Sequence, residues 1–412
     1  MNKQTSIWHH LAAAPHRSLF LVGALQGVMT MLWWVFDLAG RYGILGTPAA
    51  WSIAPTWAHA FLMIYGFLPL FIFGFLFTTY PNWMNGDKIK PRYFLTTCVL
   101  MTIGVLLFYM GLITDKSTLV SGVAVMLVGW CIAFYILLHV LINASGKDKR
   151  HAKVTSVALG FGCLGVAAYL LWLLTDSWWL LTFSRVAGIW FFLLPIVMAV
   201  SHRMIPFFSS RVLDNYVLVR PYWTLWLMLA CSAGHGILQL FDALAYLWLV
   251  DFPLALCALY LSFIWGILRS FSVSLLAVLH ISFAWLGIAM LLYGTQSLML
   301  LLSDDGVMPF GLAPLHALAI GYFASIVLGM ASRVTIGHSG RPLVLDRFTW
   351  LLFIGFQTAT IFRVLADIIP TVANYTPQFY LLSGLVWLFC FTAWAMRYAP
   401  IFWRERVDGK PG

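Results

Sequence analysis

The chain has 412 residues, of which 62% are hydrophobic and only 9% charged, with a mean hydropathy of +0.90. These values exclude a soluble globular protein, and apolar runs of about twenty residues, rather than alternation, exclude a membrane β-barrel. The net charge of +10 is spread over short loops, so it reports on membrane topology and not on nucleic-acid binding.

Twelve runs are long enough to span a bilayer core of about 30 Å as helices. They lie near 18–38, 57–79, 93–113, 119–142, 154–174, 180–201, 222–241, 244–265, 271–293, 312–332, 348–369 and 378–396. The expected fold is an all-α integral membrane protein, with residues 1–412 forming a single polytopic membrane domain. The first run lacks a small-residue cleavage site and reads as a retained helix, not a signal peptide.

Lys and Arg counted by alternate loops give 20 on one side against 3 (Arg41, Lys116 and Arg185) on the other, with Arg363 inside the eleventh run. Positive residues collect on the cytoplasmic side, so both termini are expected there. The outer loops are short and acidic, with Asp115, Asp176, Asp242, Asp304 and Asp305. Six cysteines stand singly within runs; with no close pair they read as small core residues.

The inner loops after the second, sixth and tenth runs resemble one another. Each ends on a basic residue followed by proline, at Lys90, Arg220 and Arg341. Spacing by four helices suggests three pseudo-equivalent four-helix blocks, near 1–150, 151–270 and 271–412. The plain alternative is that basic-Pro is common in cytoplasmic loops.

Two histidines open membrane-length runs, His59 in Pro-Thr-Trp-Ala-His-Ala and His316 in Pro-Leu-His-Ala. The topology puts both just below the outer surface. Two imidazoles at matching depth could hold a haem iron between them; the plain alternative is two interfacial histidines wetted by headgroups. Arg185 and Arg363 break the positive-inside bias and would suit haem propionates. Asp176 and Asp367 are their rival partners.

His235 and His280, inside the seventh and ninth runs, are the candidates for copper. A hydrogen-bonded structural histidine is the plain alternative for each. His9, His10, His16, His139, His151, His202 and His338 read as interfacial or solvated. Arg203, Arg211, Arg333 and Arg341 could offer an inner face to a quinone headgroup or lipid phosphate, or simply set topology. Helix interiors read as almost free of Asp and Glu, which argues against an ordinary proton-coupled transporter.

Several motifs resemble the NnrS family of bacterial inner-membrane proteins associated with nitric-oxide stress. They are Pro15-His-Arg17, His59-Ala with Met63 and Tyr65-Gly-Phe, Thr78-Thr79 with Pro81-Asn-Trp83, and Arg203-Met-Ile-Pro-Phe-Phe. The most specific are His316-Ala-Leu, Leu328-Gly-Met-Ala-Ser-Arg333 and Gly337-His-Ser-Gly-Arg-Pro342. The resemblance implies twelve helices, bound haem and copper, and a role in nitrosative stress, without an established reaction. The family segment after the first histidine often reads H-A-H-E-M; here Phe61 and Leu62 occupy the second His and Glu places. That puts the copper site in doubt.

The resemblance strengthens His59 and His316 as haem ligands, and the second and tenth helices also hold a haem in haem–copper oxidases, a fold analogy only. The expected function is a membrane haem protein that binds or redox-processes nitric oxide or a related species near the periplasmic face. Electrons would come from quinol or a periplasmic donor. The alternative is a transporter for a small anion, haem or a metal.

Overall fold

A computed structural model describes residues 7–46, 48–303, 306, 308–369 and 374–409. Lys3, Asp304, Asp305 and Lys410, which enter the topology reading, lie outside the described residues. All regular structure among those described is helical. The long helices are α1 (Pro15–Arg41), α2 (Pro55–Met84), α3 (Pro91–Ile113), α4 (Lys116–Asn143), α5 (Arg150–Thr175) and α6 (Trp178–Val212). They continue as α7 (Tyr222–Leu240), α8 (Trp248–Ile264), α9 (Ser274–Leu302), α10 (Ala313–His338), α11 (Arg347–Ile368) and α12 (Thr376–Phe402).

Ten of these are long and apolar enough to cross a membrane. α7 is not among the ten, and α8, at 17 residues, is shorter than the rest. The segments after the second and sixth runs are less loop-like than their sequence suggests. α2 and α6 run on as helix past Pro81 and Pro206, so that Arg203-Met-Ile-Pro-Phe-Phe is helical rather than looped. α10 likewise continues to His338.

Local chemistry fixes many of the ends. Pro15, Pro55 and Pro91 begin α1, α2 and α3, where a missing N–H costs nothing. The carboxylates of Asp115 and Asp346 cap α4 and α11 by accepting from Thr118 N at 2.9 Å and Thr349 N at 3.3 Å. Asn85 and Asp176 end α2 and α5 in the left-handed conformation, at φ 52° and 55°. α3 and α4 approach backbone to backbone: a Cβ on Gly111 would lie 2.3 Å from Leu119 N. Close approach at small residues is how apolar helices gain contact in lipid, where water supplies no drive between them.

The chain divides into two compact units. The first comprises Met1–Gly188, Met330–Leu343 and Phe391–Gly412; the second comprises Ile189–Gly329 and Val344–Cys390. The first has a core of stacked aromatic rings, among them Phe61, Phe108 and Tyr169. The second packs Trp265, Phe283 and Tyr322 edge to face or tilted.

α2, α6 and α10 share a feature that the other long helices lack among the described residues: each contains a π-helical segment, at Leu62–Phe67, Ala187–Leu193 and Ala317–Ala324. In two of them the cause is local. Pro69 and Pro195 stand two residues after the segment ends and cannot donate to the preceding turn. The carbonyls left over are capped from the side. Trp130 Nε1 donates to Tyr65 O at 3.2 Å, and Ser232 Oγ donates to Trp190 O at 2.6 Å. In α10 Ser325 Oγ does the same for Ile320 O, five residues back, at 3.0 Å.

Candidate functional site

The π segments organise the candidate residues. His59, Arg185 and His316 each stand eight residues before the last π residue of their helix, which is Phe67, Leu193 and Ala324 respectively. The three thus hold the same register on α2, α6 and α10.

In the first unit the His59 ring, half-buried, stacks on Trp34 with centroids 4.0 Å apart and planes 14° from parallel. The Arg41 guanidinium lies over the same indole at 5.2 Å and pairs with Asp37 at 2.5 Å. Trp51 Nε1 donates to the other Asp37 oxygen at 2.8 Å. Two residues before His59, the Trp57 ring lies 4.7 Å beneath the Arg185 guanidinium. The rival partner for Arg185 is otherwise engaged: Asp176 pairs with Lys116 at 2.6 Å. Tyr65 locks this part of α6 in place. Its hydroxyl donates to Ser184 O at 2.6 Å and sits where a Cβ on Gly165 would come within 1.8 Å.

In the second unit His316 Nδ1 lies 3.0 Å from Leu312 O. A carbonyl can only accept, so in the neutral ring Nδ1 carries the proton. Arg363 pairs with Asp367 at 2.8 Å and lies over the Tyr380 ring at 3.9 Å. Asp367 also accepts from Leu312 N at 3.1 Å and from the Tyr380 hydroxyl. The internal partner anticipated for Arg363 is therefore the one it has.

His235 and His280 have different surroundings. His235 is fully buried, its Nδ1 is 2.6 Å from Asp251 Oδ1, and its ring stacks on Trp190 at 3.4 Å with Tyr293 edge-on at 5.0 Å. The carboxylate fixes the proton on Nδ1, leaving Nε2 buried and without a hydrogen-bond partner among the described residues. His280 Nε2 meets Ser209 Oγ at 3.0 Å, and that hydroxyl donates onward to Ile205 O at 3.0 Å. With the hydroxyl proton spent, His280 must donate, which commits its Nε2. Among the described residues no group of three or more His, Cys, Asp or Glu side chains could hold a metal ion.

Several sequence readings need correction. His16, His151 and His202 are buried, at 2%, 1% and 0% exposed, rather than solvated. His16 tilts against His338 at 4.7 Å, which joins two of the motif histidines inside the first unit. Helix extension brings these edge residues inward: α1 starts at Pro15 and α10 ends at His338. Cys131 is exposed and not a core residue. The helix interiors also hold two buried carboxylates, Asp37 and Asp251, at 4% and 0% exposed. Asp251 was the residue most clearly missed. A lone acid inside the eighth apolar run was itself a signal, since such a charge needs a partner.

His59 on α2 thus stacks on Trp34, and His316 on α10 has its Nδ1 engaged by Leu312 O. The family model described as NnrS protein matches residues 10–406, nearly the whole chain. The chain belongs to the NnrS family. No curated protein matches it. Membership accounts for the motif residues of α1, α2, α6 and α10 together, and those are the helices carrying His16, His59, Arg185, His316 and His338.

Proposed function

We propose that this NnrS-family chain is a twelve-helix haem protein of a bacterial inner membrane, with both termini inside. It binds or redox-processes nitric oxide or a related species near the periplasmic face. The observation that carries the reading is the family match over residues 10–406. Haem supplies a redox iron able to bind small diatomic ligands.

The chain's own residues supply the rest. His59 and His316 are each candidate axial ligands. Leu312 O holds the His316 ring in the tautomer that a ligand needs, and Trp34 restrains the His59 ring by stacking. Arg185 is the candidate propionate partner; Arg363 is a weaker one, because Asp367 already neutralises it. For copper, His235 is favoured over His280 because its Nε2 is buried without a hydrogen-bond partner among the described residues and the Asp251 carboxylate orients its ring. The matched π segments support three related blocks in the chain. Quinol or a periplasmic carrier is the proposed electron donor.

The test is the reduced-minus-oxidised spectrum of the detergent-purified protein. We expect a Soret band that is lost in His59→Ala and His316→Ala and kept in His139→Ala. A colourless preparation from haem-sufficient cells would sink the haem reading. Metal analysis of His235→Ala against His280→Ala tests the copper assignment, with loss expected only in the first.

A further inference from the structure

Arg185 and Arg220 each bury an Nε with no hydrogen-bond partner among the described residues, but Arg220 gives a terminal N–H to Arg203 O at 2.8 Å and Arg185 has no bond as short. One terminal nitrogen of Arg185 reaches Thr182 Oγ1 only at 3.4 Å, near the limit for such a bond. Asp176 belongs to Lys116. What Arg185 does have is the Trp57 ring, 4.7 Å from its guanidinium carbon.

A ring face and a carboxylate satisfy different parts of a guanidinium. Stacking engages the flat π surface and is worth about 0.5–2 kcal/mol. The N–H donors all lie in the plane of the group, pointing away from its edge. A half-buried cation inside an apolar helix, with its face covered and only one long hydrogen bond at its edge, is costly unless an anion meets that edge. The shape matched by two parallel N–H donors is a planar anion with two oxygens.

The register of the π segments adds a second, independent observation. Arg185 occupies on α6 the position that His59 and His316 occupy on α2 and α10. Where two of the three helices present an imidazole, the third presents a fixed positive charge.

We propose that Arg185, backed by Trp57, binds a planar two-oxygen anion at the start of α6. The anion has two chemical sources: the carboxylate edge of a bound porphyrin, or a free small oxoanion such as nitrite. The proposal rests on the haem reading for the first source alone. Thr182 and the indole position the guanidinium, and Tyr65 fixes the turn behind it through Ser184 O.

The experiment measures thermal unfolding of the full-length protein in detergent, haem-free and haem-loaded, titrated with formate and nitrite at constant ionic strength. Wild type, Arg185→Gln and Arg185→Lys are compared, with Lys116→Gln as the exposed-cation control. In haem-free wild type both anions raise the midpoint; Arg185→Gln abolishes the rise, Arg185→Lys keeps part of it, and Lys116→Gln keeps all of it. If the porphyrin carboxylate is the occupant, the rise disappears on haem loading and haem release from Arg185→Gln quickens by about tenfold or more. If a free oxoanion is the occupant, the rise persists after loading and the release rate is unchanged. Equal anion responses in haem-free wild type and Arg185→Gln, with equal haem release, overturn the proposal. The haem-free titration stands even if the protein proves colourless, so failure of the haem reading and failure of the anion site are told apart.

Discussion

Arg363 and Arg185 look alike in the sequence, as two arginines on the poorly charged side of the membrane, yet they have opposite surroundings. Arg363 finds its carboxylate on its own helix. Asp367, four residues on, pairs with it at 2.8 Å while also accepting from Leu312 N and the Tyr380 hydroxyl, so that one acid ties together the start of α10, α11 and α12. Both side chains of the pair are nearly buried, at 9% and 6% exposed. Arg185 has Leu181 and Ile189 at the four-residue spacings and no acid within reach among the described residues. The first arginine is a structural rivet. The second has no acid to pair with among the described residues. Unequal membrane charges of the same type separate on whether the i+4 position is acidic.

Removing the acid from the paired site gives the largest effect expected. Asp367→Ala leaves a buried guanidinium uncompensated and frees two donors, and should cost about 3–5 kcal/mol. Unfolding in detergent, followed by circular dichroism, measures it. Arg185→Gln, in haem-free protein without added anion, should change stability by about 1 kcal/mol or less, because the lost stacking on Trp57 is offset by relief of a half-buried charge with no ion-pair partner among the described residues. A loss of similar size at both positions would break the comparison.

A middle-sized effect tests how Arg185 is held. Gly165→Ala drives a Cβ into the Tyr65 hydroxyl, which donates to the carbonyl of the residue just before Arg185. The overpacking should cost about 1–3 kcal/mol. Tyr65→Phe alone should cost about 1 kcal/mol for the hydrogen bond. The double variant should lose less than the two together, since removing the hydroxyl also removes the atom nearest the new methyl. Strict additivity would mean that the clash is relieved elsewhere and that Tyr65 is not what fixes this turn.

The helical membrane class was legible in composition and run length, because those report directly on the solvent. The rival partner of Arg363 was legible too, because i+4 pairing is a local rule. The competition for Asp176 was not, since Lys116 is sixty positions away in sequence. The burial of His16, His151 and His202 was hidden for a related reason: proximity to a run's edge says nothing about which neighbours close over it. His235 was picked out and its partner Asp251 passed over, though one acid within an apolar run asks for just such a base. The π segments left a partial trace in Pro69 and Pro195. α10 has no such proline, and only the structure shows that Ser325 caps Ile320 O there.

The smallest effect concerns a charge that needs no counter-charge. Asp115 is fully exposed, and its carboxyl is held well below the usual carboxylate range, first by the Ser117 hydroxyl and then by Thr118 N and its side chain. A depressed folded-state value stabilises the fold above the unfolded carboxyl range, near pH 4, and that contribution is lost as pH falls through the folded value. Wild type should therefore lose slightly more thermal stability than Asp115→Asn between about pH 6 and pH 2. Equal pH slopes in the two proteins would show that solvent already satisfies this carboxylate. Asp115 can rely on hydroxyl groups and solvent because it stands outside the apolar phase, whereas the guanidinium half-buried against Trp57 has one hydroxyl, Thr182 Oγ1, at 3.4 Å. If the Asp115 effect is small and the anion response of Arg185→Gln is absent, burial rather than charge type is what makes an unpaired ion in this chain a binding site.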